Sequence, residues 1–141
     1  MTLAEIRAAC VGSFPLSKTR APIMAGLEHF VSKLKKERVV GDLWVDGSFT
    51  TQKIDPEDVD VVLQAPARVR EHATQPQIDL IEKIEKHGFK PDHYCHTFIF
   101  YKWEQDDPLY WFGEWTRAYW IRQFGFSRGS DFKGLAVVEV R

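Results

Sequence analysis

The segment DLWVDGSFTTQKIDPEDVDVVL, residues 42–63, constrains this chain more than any other stretch. Leu43, Trp44 and Val45 centre a strand over 42–46, and Gly47 stops it. Nine residues, 49–57, then separate Gly47-Ser48 from Asp58-Val59-Asp60. Asp58 leads into a second strand over 59–63, rich in β-branched residues. Side chains alternate along a strand, so Asp58 and Asp60 share one face while Val59 and Val61 take the other. Two adjacent carboxylates repel, and a metal ion is the obvious neutraliser. Mg²⁺, or Mn²⁺ in its place, suits such oxygen ligands and completes its shell with water and substrate phosphate. Gly47 lets backbone approach a ligand closely. Ser48 offers a hydroxyl and an amide to a phosphate oxygen. A short helix beginning after Ser48 would add positive potential there. Lys53, in the same loop, can meet phosphate as a point charge.

The remaining elements place this segment in an α/β fold. Thr2 and Glu5 have capping-box spacing, which predicts a first helix over 3–10. Gly12 to Pro15 breaks it. Ile23, Leu27, Phe30, Val31 and Leu34 recur at helical spacing, predicting a second helix from Ser17 or Thr19 to about Arg38. Its last turn is basic, which suits the negative end of the helix dipole. Ile78, Leu80, Ile81 and Ile84 mark a further helix that ends at Gly88. HYCHTFIFYKW, residues 93–103, reads as a long strand. Asp107-Pro108 announces an aromatic helix over 109–124, and 132–140 reads as a last strand. The order helix, helix, strand, strand, helix, strand, helix, strand implies a small mixed sheet flanked by helices.

At 141 residues the chain is expected to form one domain spanning 1–141. Its net charge of −1 argues against a general nucleic-acid coat, which needs a strong basic excess. Cys10 and Cys95 show no zinc spacing, and two free thiols fit a reducing cytosol. The first ten residues contain Glu5 and Arg7 and do not read as a signal peptide. No apolar stretch reaches the roughly 20 residues of a membrane span. The expectation is a soluble cytoplasmic protein.

The strand, Gly-Ser, about ten residues and Asp-apolar-Asp resemble the nucleotidyltransferase superfamily, the fold of DNA polymerase beta. Gly47, Ser48, Asp58 and Asp60 match its pattern. GSFTTQKIDPEDVDVV is similar to a group of small, largely uncharacterised bacterial and phage nucleotidyltransferase-like proteins. Those proteins also end in an aromatic segment followed by Phe-Gly, Arg and Lys-Gly. Here that ending is YWIRQFGFSRGSDFKGLAVVEV, which brings Arg128 and Lys133 forward as nucleotide-binding residues. The resemblance implies Mg²⁺-dependent transfer of a nucleoside monophosphate from an NTP to an acceptor: a protein, a small molecule or an RNA end. Superfamily members usually add a third carboxylate from a later strand. The corresponding strand here has no acidic residue inside it. Asp92 precedes it, and His96 is the polar residue nearest its middle, hence a candidate catalytic group. Two readings follow: an active transferase, or a catalytically degenerate fold that binds a nucleotide or a protein.

Residues 109–124 hold more large rings than one helical stripe can bury. Trp111, Trp115 and Tyr119 form one ridge at i, i+4, i+8. The expectation is that the Trp115 side packs on the sheet while another face meets a protein partner or a second copy in a homodimer.

Overall fold

The computed structural model describes residues 1–126, 129 and 134–141. Among them are six α-helices and four strands, in a mixed α/β arrangement. Strands β1 (Gly41–Asp46), β2 (Val59–Pro66), β3 (Cys95–Lys102) and β4 (Ala136–Val140) form one sheet in the order β3-β2-β1-β4. β1 runs antiparallel to β2 and to β4, whereas β2 and β3 are parallel. A parallel neighbour needs a crossover. Here it holds α3 (Arg68–Glu71), α4 (Gln75–Glu85) and α5 (Lys90–His93).

Period-two burial sorts the sheet into two faces. Leu43, Val45, Val59, Val61, Leu63 and Val138 turn toward α2 (Arg20–Lys36), whose Ile23, Leu27, Phe30 and Leu34 share their core with Leu80, Ile81 and Ile84 of α4. Each such side chain contributes roughly 1.5–3 kcal/mol when fully buried. Trp44, Val62 and Phe100 point the other way, under Phe124, Trp120 and Ile121 of α6 (Tyr110–Phe124). The even-numbered residues of β1 and β2 therefore belong to the α6 face.

The differences from the expected elements have local causes. The Thr2–Glu5 capping box starts α1 (Leu3–Arg7), but the chain widens into a π-helical turn over Ala8–Gly12 instead of continuing as an α-helix. β3 starts at Cys95, not His93. Tyr94 adopts a left-handed conformation (φ 56°) that ends α5, so Asp92 and His93 are helical. His93 is half-buried and stacks on His29 with ring centroids 4.2 Å apart. The Asp107 carboxylate caps the Leu109 amide at 2.7 Å, one turn before α6 proper. β4 begins at Ala136, and Phe132 lies outside the described residues.

The orientation of α6 is the largest correction. Trp115 does not pack on the sheet; Trp111, Phe112, Trp115 and Tyr119 are all exposed. Gly113 decides this rotation. A Cβ there would come within 2.9 Å of the Trp103 ring and 3.2 Å of the Tyr101 carbonyl oxygen. The row through Gly113, Trp120 and Phe124 is thereby the one that faces inward, and the 111–115–119 ridge turns to solvent. Among the described residues no helix is long and apolar enough to cross a membrane.

Candidate functional site

The carboxylates gather where β1 ends and β2 begins. Asp46, the last residue of β1, pairs in register with Asp60 of β2, and Asp60 pairs in register with His96 of β3. Residues directly opposite share a face. Asp46, Asp60 and His96 thus form a polar row across three strands on the α6 face, and Asp58 stands one alternation before Asp60.

Gly47 holds this row together. Its φ of +81° and ψ of −167° belong to a region that only glycine enters without strain. A Cβ on Gly47 would lie 2.4 Å from Asp60 Oδ2. The Gly47-Ser48 turn is therefore seated directly against the Asp60 carboxylate. Only one 3-10 turn, Ser48–Thr50, follows, rather than a helix with an appreciable dipole. Among the described residues the Ser48 hydroxyl has no hydrogen-bond partner. Thr50 Oγ1 donates to Asp46 Oδ1 at 3.3 Å, fixing the buried Asp46 from the same turn.

Two cationic or proton-bearing groups reach the acids from the crossover and β3. Lys90 Nζ lies 2.7 Å from Asp58 Oδ2. That bond, together with the charges of Asp58, Asp60 and Glu57, holds the lysine pKa above its ordinary value. His96 Nδ1 lies 3.1 Å from Asp60 Oδ1, and in the neutral tautomer whose Nδ1–H donates to that carboxylate Nε2 is a proton acceptor. The His96 ring also contacts His87 and Phe98, at centroid separations of 4.7 and 4.5 Å. Burial, then repulsion from Asp58 and Asp46, raises the Asp60 pKa despite the opposing pull of His96.

Arg20 fixes the loop between Ser48 and Asp58. Its side chain is fully buried. The guanidinium donates to the carbonyl oxygens of Cys10 (2.9 Å), Phe49 (2.6 Å), Thr51 (2.7 Å) and Ile54 (3.2 Å), and also to that of Lys53. It stacks on Phe14, 3.6 Å from the ring centroid. Asp55 ties the same loop to the start of α2 by accepting from the Lys18 amide at 2.7 Å and Ser17 Oγ at 3.0 Å.

Of the residues singled out in the sequence, Gly47, Ser48, Asp58, Asp60 and His96 come together here. Lys53 is exposed and takes part in the loop through its backbone; the lysine that meets the acids is Lys90. Arg128 and Lys133 lie outside the described residues. Asp92 is exposed on α5, and Glu139 pairs with Arg141 at 3.2 Å, opposite Asp42 at the far end of β1. Three contributors were missed. Asp46 is legible only once the β1–β2 pairing is known, because it then falls opposite Asp60. Lys90 and Arg20 leave no local signature, since the crossover and α2 bring them in from a distance.

Among the described residues no group of three or more His, Cys, Asp or Glu side chains is placed to hold a metal ion. Two carboxylates with substrate phosphate and water are nevertheless an ordinary Mg²⁺ shell. No curated protein and no solved structure matches the chain. One family does, over residues 1–139, and on that match the chain belongs to the family of unknown function DUF6932.

Proposed function

We propose that the chain is a nucleotidyltransferase that moves a nucleoside monophosphate from an NTP to an acceptor hydroxyl. One observation carries this reading. The glycine of a Gly-Ser turn sits against the second acid of an Asp-x-Asp pair, at a distance that leaves no room for a side chain. Asp58 and Asp60 would hold Mg²⁺, or Mn²⁺, which when bound neutralises phosphate charge and orients the triphosphate. Ser48 Oγ and its amide bind a phosphate oxygen. Lys90, released from Asp58, supplies a positive charge to the same phosphates. Asp60 fixes His96 through Nδ1, so Nε2 is the atom that takes the proton from the acceptor hydroxyl. The hydroxyl oxygen bonds to the α-phosphorus. The bond from that phosphorus to the bridging oxygen breaks, and pyrophosphate leaves with the electron pair. The turn clamped by Arg20 contributes chiefly positioning, as expected for phosphoryl-type transfer.

A second reading is a nucleotide- or protein-binding module without turnover. Its support is His96, which stands in register with Asp60 on β3 where superfamily members supply an acid, and Lys90, which already neutralises Asp58.

Protein incubated with Mg²⁺, each α-labelled NTP and a cell lysate as acceptor pool separates the readings. Transfer of label with pyrophosphate release, abolished in Asp58→Asn/Asp60→Asn, supports the enzyme. A Mg²⁺-dependent rise in melting temperature with NTP but no pyrophosphate supports the binding module. Neither response with any NTP rejects the transferase and the nucleotide-binding module, and leaves only the protein-binding form of the second reading.

A further inference from the structure

The α6 ridge is the largest feature that the proposed chemistry does not use. Trp111 is 78% exposed, Phe112 58%, Trp115 68% and Tyr119 48%. Phe112, Trp115 and Tyr119 lie in a graded stack, with successive ring centroids 6.5 and 6.4 Å apart and interplanar angles of 27° and 22°. The ridge is thus ordered by its own ring contacts. At 150–250 Å² per aromatic side chain, these exposures leave roughly 500 Å² of ring surface in water. That is near the upper end of what a monomer exposes as one patch.

We infer that the ridge is a homodimer interface, in which two α6 helices pack antiparallel about a two-fold axis near Trp115. Area is the first argument. Two such ridges face to face remove roughly 1,000 Å² from rings alone, the size at which a specific interface becomes tenable, and Leu109, also exposed, adds to it. Shape is the second. With the axis at Trp115, Trp111 meets Tyr119 of the partner subunit. Charge is the third. Asp106 and Asp107 precede α6 and Arg122 stands in its last turn. Antiparallel packing sets the acidic end of each helix beside the basic end of the other and opposes the helix dipoles, whereas parallel packing would set like ends together. With a net charge of −1 per chain, two copies repel only weakly. The surface is independent of the carboxylate site, so this inference stands or falls apart from the proposed activity.

Sedimentation equilibrium of the whole chain over a wide concentration range tests it. The expected result is a monomer–dimer equilibrium. Trp111→Glu/Trp115→Glu should weaken it by roughly a hundredfold or more, since buried tryptophans are typical hot spots. Circular dichroism should stay native, because both rings are outside the core. Should the double variant fail to fold, Tyr119→Lys provides the same reading with a smaller expected loss. A monomer at every concentration, or a dimer that persists unweakened in a folded ridge variant, overturns the proposal.

Discussion

At Gly47 even a methyl group collides with a carboxylate oxygen, and the backbone lies where an L side chain is strained. Gly47→Ala therefore tests how tightly turn and acid are coupled. The expected cost is about 1–3 kcal/mol, read as a lower urea midpoint. Any nucleotide transfer should fall further than stability does, because Asp60 must move to admit the methyl. A variant as stable and as active as the parent would show that the turn tolerates a different seat. The residue scale also shows what the chain spells out locally and what it does not. Strand alternation suffices to put Asp58 and Asp60 on one face, and residue spacing to bring Gly47 near them. Nothing local to Asp46 marks it as the third acid, because its role depends on which residue of another strand lies opposite. Lys53 is the lysine near the acids in sequence, whereas Lys90 is the one that reaches Asp58 in space.

At the scale of elements, the loop over 49–57 is held by a buried cation from another helix. Arg20 satisfies five backbone carbonyls, and replacing it strands them all. Arg20→Met should destabilise the fold by about 3–5 kcal/mol, the range for breaking a buried charged network. Thermal melts measure the loss. A shift within the ordinary surface range would mean that water replaces the guanidinium at little cost. Element identity was readable wherever a period persisted, as in the apolar row of α2 or the alternation of β2. It failed where steric fit decides. α3 and α5 are four residues each, too short to show a period. The rotation of α6 follows from Gly113 meeting Trp103, a contact between segments that a helical wheel does not contain. Rings distributed on several sides of that helix left its inward face undetermined by hydrophobicity.

For the molecule as a whole, Cys95 reports on the integrity of the sheet. It is buried at the start of β3, and burial raises its thiol pKa to about 12, against an ordinary value of 9.0. The folded state thus holds the proton more tightly than the unfolded state. The thiol's contribution to stability is constant at neutral pH, declines as pH rises past the unfolded value near 9, and is lost by about 12. Denaturation midpoints should fall across that window in the parent and fall less in Cys95→Ala. At neutral pH, alkylation of Cys95 should track global unfolding, with Cys10 reacting first. Rapid native-state labelling of Cys95 would show that β3 opens locally. The order of the strands along the chain has one more consequence. β1 and β2 are joined by a short loop, whereas β3 reaches the sheet only after the long crossover that separates it from β2. A ribosome releases Asp46, Asp58 and Asp60 well before it releases Lys90 and His96. Local pairing is also entropically cheaper than closing that crossover. The emerging strand pair therefore exposes an acidic cluster before Lys90 and His96 have left the ribosome, and cellular cations are available to it as counter-charge in that interval.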